Sequence, residues 1–297
     1  MVVWAGCSSG RPVEAVSLLG EPLVRPKLYG EQRDRLNDQM LAARADYRAN
    51  PDNEMAAIWY GRRLSYLGRY HDAIGVYTDG LAAHPESYKL LRHRGHRYIT
   101  IREFDLALAD LSAASELVAG LPDEVEPDGM PNASNIPRST TKSNIEYHLA
   151  LAYYLTGDFE VALDAWTRCY VYSQSNDDSL VSASYWWYLT LRRLGRDDEA
   201  NAVLVRITPD MDVIENGDYH GLLLFFKGEI SEDELLPSAL RGVQASTLSY
   251  GVGAWLLLED RDEESRVWLR RAFVGPWAAF GYIAAEAEMA RARPGAN

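Results

Sequence analysis

Gly68-Arg69-Tyr70-His71-Asp72-Ala73 and Arg102-Glu103-Phe104-Asp105-Leu106-Ala107 are two copies of one signal, set 34 residues apart. The same interval carries Pro51 to Pro85, Gly61 to Gly95, Tyr70 to Phe104 and Gly80 to Ala114. The pattern has a physical cause. Two helices joined by a tight bend need small residues where their backbones approach. They need a large residue to plug the bend, and a proline to stop the second helix. Repetition at a fixed period then implies stacked hairpins sharing one continuous core.

Counted along the period, small residues fall at slots 8, 20 and 27 and an aromatic at slot 17. Gly61 and Ala73 fill slots 8 and 20 of the first copy, and Gly95 and Ala107 those of the second. This arrangement resembles the tetratricopeptide repeat (TPR). Further copies follow with insertions. Ala162 comes 55 residues after Ala107, one period plus 21 extra residues, and Ala200 comes 38 after Ala162. Gly228-Glu229-Ile230 and Asp260-Arg261-Asp262 mark two degenerate bends. A lone helix is expected over Glu31 to Ala49 and a last one over Trp277 to Arg291. The expectation is an all-α, TPR-like α-solenoid of about six helical hairpins with flanking helices. It spans 31–292, with an N-terminal segment over 1–30, an insertion over 120–142 and a tail over 293–297. The resemblance implies a docking surface for a protein or peptide, with no cofactor and no catalysis.

Composition narrows the function classes. A net charge of −13 over 297 residues disfavours general nucleic-acid binding, which needs a basic face to neutralise phosphates. It equally disfavours adsorption to anionic lipid. No run of 18 apolar residues is present to span a membrane. Glycine-rich phosphate loops, His-Glu-x-x-His and Gly-x-Ser-x-Gly are absent from the sequence. The alternative of an enzyme or metal protein rests on His148 and His220, which each follow a tyrosine at an expected helix start and could converge with Glu146. Cys169, at slot 27, reads as a small core residue.

Trp4-Ala5-Gly6-Cys7 resembles the end of a bacterial lipoprotein signal, in which Cys7 receives the lipid. Trp4 stands where that pattern usually has Leu, and no charged region or long apolar run precedes Cys7. The expectation is therefore that the true start lies upstream, and that the protein is lipid-anchored in a bacterial cell envelope. Ser8 to Arg25 then reads as a polar tether. The plan resembles envelope TPR lipoproteins that scaffold cell-wall hydrolases and proteases. A cytoplasmic protein is the alternative.

In the TPR pattern, certain slots of each first helix face a concave groove. They supply Arg62, Ser65 and Tyr66, then Lys89, Arg92, His96 and Thr100, then Asn144, Tyr147 and Tyr154, then Tyr185, Arg192 and Arg193. This is a basic, aromatic stripe on an acidic protein, and arginine and tyrosine are favoured binding anchors. The resemblance implies a partner with an acidic segment or a C-terminal carboxylate. His93 and His148 replace the Asn of carboxylate-clamp TPR domains. Within Arg92-His93-Arg94-Gly95-His96-Arg97, only Arg92 and His96 are expected to share the groove. The insertion carries Asp123, Glu124, Glu126 and Asp128, opposite in sign to the stripe, on a proline-broken segment able to reach the groove rim. It is therefore a candidate internal competitor of the partner. A structural homodimer of solenoids is the remaining alternative.

Overall fold

The computed structural model describes residues 10–292. After α1 (Gly30–Ala49), the helices come in pairs joined by short bends: α2 (Glu54–Tyr66) with α3 (Tyr70–Ala83), α4 (Tyr88–Ile101) with α5 (Phe104–Val118), and α6 (Thr141–Thr156) with α7 (Phe159–Tyr172). Then come α8 (Asp177–Arg193) with α9 (Asp197–Leu204), α10 (Gly217–Lys227) with the single-turn α11 (Glu232–Leu235), and α12 (Gly242–Leu258) with α13 (Asp262–Arg271). A last helix, α14 (Phe280–Arg291), closes the chain of elements. The described residues form an all-α, TPR-like solenoid of six hairpins flanked by α1 and α14.

One backbone device recurs at all six bends. Gly68, Arg102, Gly157, Gly195, Gly228 and Asp260 each hold a positive φ. The left-handed residue ends one helix and sends the chain back beside it. Small residues set the distance between the paired helices. A Cβ on Gly95 would lie 2.7 Å from Leu111, and one on Gly61 would overlap the Tyr77 ring. Ala73, Ala107, Ala162 and Ala200 have no exposed surface, so each packs directly against neighbouring helices.

The segment expected as a tether is folded from Gly10 onward. β1 (Val13–Val16) pairs antiparallel with β2 (Pro22–Val24). The buried carboxylate of Glu14 accepts the Tyr70 amide at 3.0 Å and the His71 amide at 3.4 Å, and it binds Arg25 at 2.5 Å. It thus places a negative charge on the N-terminus of α3, where the helix dipole favours one. This hairpin is not legible in the sequence because its burial does not alternate: both central residues of β1 are buried. Cys7 and the 293–297 tail lie outside the described residues.

The solenoid also closes on itself. The Trp277 indole donates to the Val24 carbonyl at 2.9 Å and meets the Tyr70 ring edge-on at 5.3 Å. Arg102, at the second bend, binds Glu286 of α14 at 3.0 Å and donates to the Trp277 carbonyl at 2.8 Å. Farther along, Arg193 pairs with Glu288, and Arg291 donates to the Leu155 carbonyl at 2.9 Å. The C-terminal helix therefore lies against residues of the second, third and fourth hairpins rather than simply extending the stack.

Candidate functional site

The residues assigned to one continuous groove separate into two groups. Arg62, Tyr66, Lys89, Arg92, His96, Asn144 and Tyr147 lie on α2, α4 and α6 and retain polar or partly exposed surroundings. Tyr154 and Tyr185 do not line a groove: both are fully buried. Tyr154 hydroxyl bonds that of Tyr250 on α12 at 2.7 Å, and Tyr185 stacks on Tyr219 of α10 at 4.5 Å. Helices α10, α12 and α14 cover the face that the repeat pattern leaves open, so these groove slots become core. Arg192 is bound outward by Asp197 at 2.9 Å and Glu259 at 2.7 Å. Tyr147 stands at the boundary, its hydroxyl accepting from the Trp186 indole at 2.7 Å. Ser65 and Thr100 turn their hydroxyls back to the Gly61 and His96 carbonyls of their own helices.

The insertion lies over the first group. Its two ends are zipped by an antiparallel bridge between Val125 and Thr140, with the Glu126 amide donating to the Ser139 carbonyl at 3.0 Å. Thr140 and Ser143 form a capping box that starts α6 where the insertion ends. Its acids then take different partners. Glu124 binds Lys89 at 2.7 Å and the Tyr88 hydroxyl at 3.1 Å. Glu126, nearly buried, lies 3.1 Å from Arg92 and 3.9 Å from Arg62, and accepts from the Asn144 amide at 3.0 Å. Asp123 instead accepts the Lys142 amide at 3.0 Å. Asp128 has one buried oxygen with no hydrogen-bond partner, and burial raises its pKa. Backbone carbonyls add to the contact: Pro127 accepts from Arg62 and Gly129 from Arg63, each at 2.8 Å. Gly129 presses so closely on Tyr66 that a Cβ there would overlap its hydroxyl.

The electrostatics of this group are consistently positive. His93 and His96 both have pKa values held well below 6.5, first by burial and then by the charges of Arg92, Arg97 and their neighbours. His148 behaves likewise, burial leading and Arg92 adding to it. Burial also lowers the Arg92 pKa while Glu126 opposes that shift. Arg92 donates to His93 at 2.8 Å, so the neutral imidazole acts as its acceptor.

The run from Arg92 to Arg97 places more residues here than the repeat slots anticipate. A cavity of about 130 Å³ is lined by Arg92, His93, His96 and Arg97 together with Arg62 and Tyr66. The legible signal is the spacing: 92 and 93 lie three to five residues from 96 and 97, so the four share one helix face. The metal alternative fails on geometry. Glu146 is engaged by Ser115 at 2.5 Å and Arg168 at 2.9 Å, His148 faces the Asn144 carbonyl at 2.6 Å, and His220 faces the Thr208 carbonyl at 2.8 Å. Among the described residues, no three His, Cys, Asp or Glu side chains are grouped to hold a metal ion.

No protein-family model matches the sequence, and no curated protein does. Among solved structures, the chain is similar to a tetratricopeptide repeat protein from Parabacteroides merdae, at 15% identity and a TM-score of 0.49, covering 82% of this chain and 87% of that one. It is similar to YrrB, described as a TPR protein with an unusual peptide-binding site, at 15% identity and a TM-score of 0.44, covering 78% and 91%. MamA is similar over 59% of this chain and 92% of its own, at 17% identity and a TM-score of 0.44.

Proposed function

We propose that this protein is a non-enzymatic scaffold that docks an acidic peptide segment of a partner on the face formed by α2, α4 and α6. The observation that carries the reading is the seating of the chain's own acidic segment there, with Glu124 on Lys89 and Glu126 on Arg92. A segment held through carboxylates and backbone carbonyls marks the kind of ligand the face accepts: extended, acidic at alternate positions, and able to accept hydrogen bonds from arginine. Tethering gives the internal segment an effective concentration of order millimolar, so a partner must displace it.

A labelled peptide of residues 121–129 tests this in trans. It should bind the full chain weakly and the Glu124→Gln/Glu126→Gln chain more tightly, because the internal competitor is weakened. Arg92→Ala should reduce binding in both backgrounds. Identical affinity for the intact and neutralised chains at low and moderate salt would remove the reading. Attachment to a cell envelope through Cys7 is a further part of the proposal, supported by the Trp4-Ala5-Gly6-Cys7 pattern. Placed behind a bacterial lipoprotein leader, the chain should incorporate a fatty-acid probe in a bacterial host, and Cys7→Ser should abolish the label.

A further inference from the structure

The docked insertion leaves the basic cluster only partly neutralised. Arg62, Arg92 and Arg97 line the 130 Å³ cavity, whose lining includes no carboxylate. Among the described residues, Glu126 is the only carboxylate within 4 Å of any of the three, and it approaches Arg62 and Arg92 from the insertion side. Arg97 has no ion pair among the described residues; its guanidinium instead lies 5.6 Å from the Tyr70 ring centre. Arg92 is more than nine-tenths buried, and its Nε has no hydrogen-bond partner. Three guanidinium groups against one carboxylate leave about two positive charges facing the cavity. A second carboxylate would neutralise only half of that.

We propose that this cavity is a site for a tetrahedral oxyanion of the phosphate class. A dianion balances the residual charge. Planar guanidinium groups match its oxygens. The space equals roughly four waters, enough for a phosphoryl group. His93 and His96, kept neutral, offer a ring nitrogen each as additional donor without adding charge that would repel the arginines. The anion has two sources: free inorganic phosphate, or a phosphorylated side chain on a docked segment. The inference deepens the docking reading and rests on it only for the second source.

Isothermal titration of the full chain with inorganic phosphate, at constant ionic strength and with chloride as the control, tests it. Phosphate should bind saturably and chloride should not. Glu126→Gln should bind phosphate several-fold more tightly, since it removes the carboxylate competing for Arg92. Arg97→Gln, at a partly exposed position, should bind about tenfold more weakly, and Arg62→Gln should follow it. Phosphate heats matching chloride in both the natural chain and Glu126→Gln overturn the proposal. So does binding that neither arginine substitution weakens. The source is read with the 121–129 peptide, made with phosphoserine in place of Glu126. Tighter binding than the unmodified peptide assigns a phosphorylated partner, and equal binding alongside phosphate uptake assigns the free ion. If neither peptide binds while phosphate still does, docking fails and the anion site stands.

Discussion

The first three hairpins and the next three are built on one plan and use it for opposite purposes. On α2, α4 and α6 the inner face is floored by Arg62, Arg92 and His93 and covered by a segment that contacts it largely through polar atoms. On α8 and its neighbours the equivalent face holds Trp186, Tyr185, Tyr188 and Tyr250, all essentially buried, with Trp166 stacked on Trp186 at 6.4 Å. Equivalent repeat slots thus become either a polar binding floor or an aromatic core. What decides is whether another part of the chain packs there with an apolar face. In the second half α10, α12 and α14 do so; in the first half Phe280 of α14 packs on His96, His148 and Tyr147, while Arg62 and Arg92 are covered by the insertion, which brings charge.

The contrast breaks most severely in the aromatic half. Trp186→Ala should cost about 3–5 kcal/mol, the usual range for removing a buried large aromatic, seen as a lower thermal midpoint. A loss under about 1 kcal/mol would mean that this face tolerates a void, as a binding groove does and a packed core does not. Next comes the tie between the halves. Arg102→Ala leaves Glu286, 1% exposed in its side chain, without its cation. Breaking a buried pair in this way costs about 3 kcal/mol or more, and adding Glu286→Gln should recover part of it in chemical denaturation.

A smaller effect should come with acid, and only from the first half. His93, His96 and His148 have folded pKa values below the unfolded value of 6.5. Their contribution is complete above that value. Below it the unfolded chain takes up protons that the native chain refuses, so stability falls as pH drops. Thermal midpoints should decline from about pH 7 to about pH 5.5, and His96→Asn should flatten the slope. The smallest effect belongs to the rim. Glu124→Gln removes an ion pair whose carboxylate side chain is 46% exposed, so stability should change by no more than about 1 kcal/mol. The 120–142 segment should nevertheless become easier to cleave by protease.

The period of 34 residues made the hairpins legible because each depends on neighbours close in sequence. Gly61, Gly95 and the bend residues declare local geometry that only a few side chains can satisfy. The charge opposition between Glu124, Glu126 and Lys89, Arg92 was legible for the same reason: the insertion adjoins the helices it covers. Closure was not. Arg102 and Glu286 are separated by 184 residues, and no periodic signal spans that interval. Without closure, Tyr154 and Tyr185 read as groove residues, since their slots are right and only a distant helix makes them core. Arg97 is hidden for a different reason: repeat slots mark discrete positions, whereas a long side chain sweeps over the neighbouring turn.

Closure also changes how the molecule should come apart. An open stack of repeats unravels from its ends, because a terminal unit has one neighbour and an internal unit two. Here Trp277 rests on the β-hairpin and Arg102 reaches α14, so each end is a neighbour of the other. The array behaves as a ring rather than a row. Its terminal amides should exchange hydrogen nearly as slowly as those of the middle hairpins, and denaturation should proceed in one cooperative step instead of a fraying series. A spring of this design resists stretching until its clasp opens, and then gives way along its whole length.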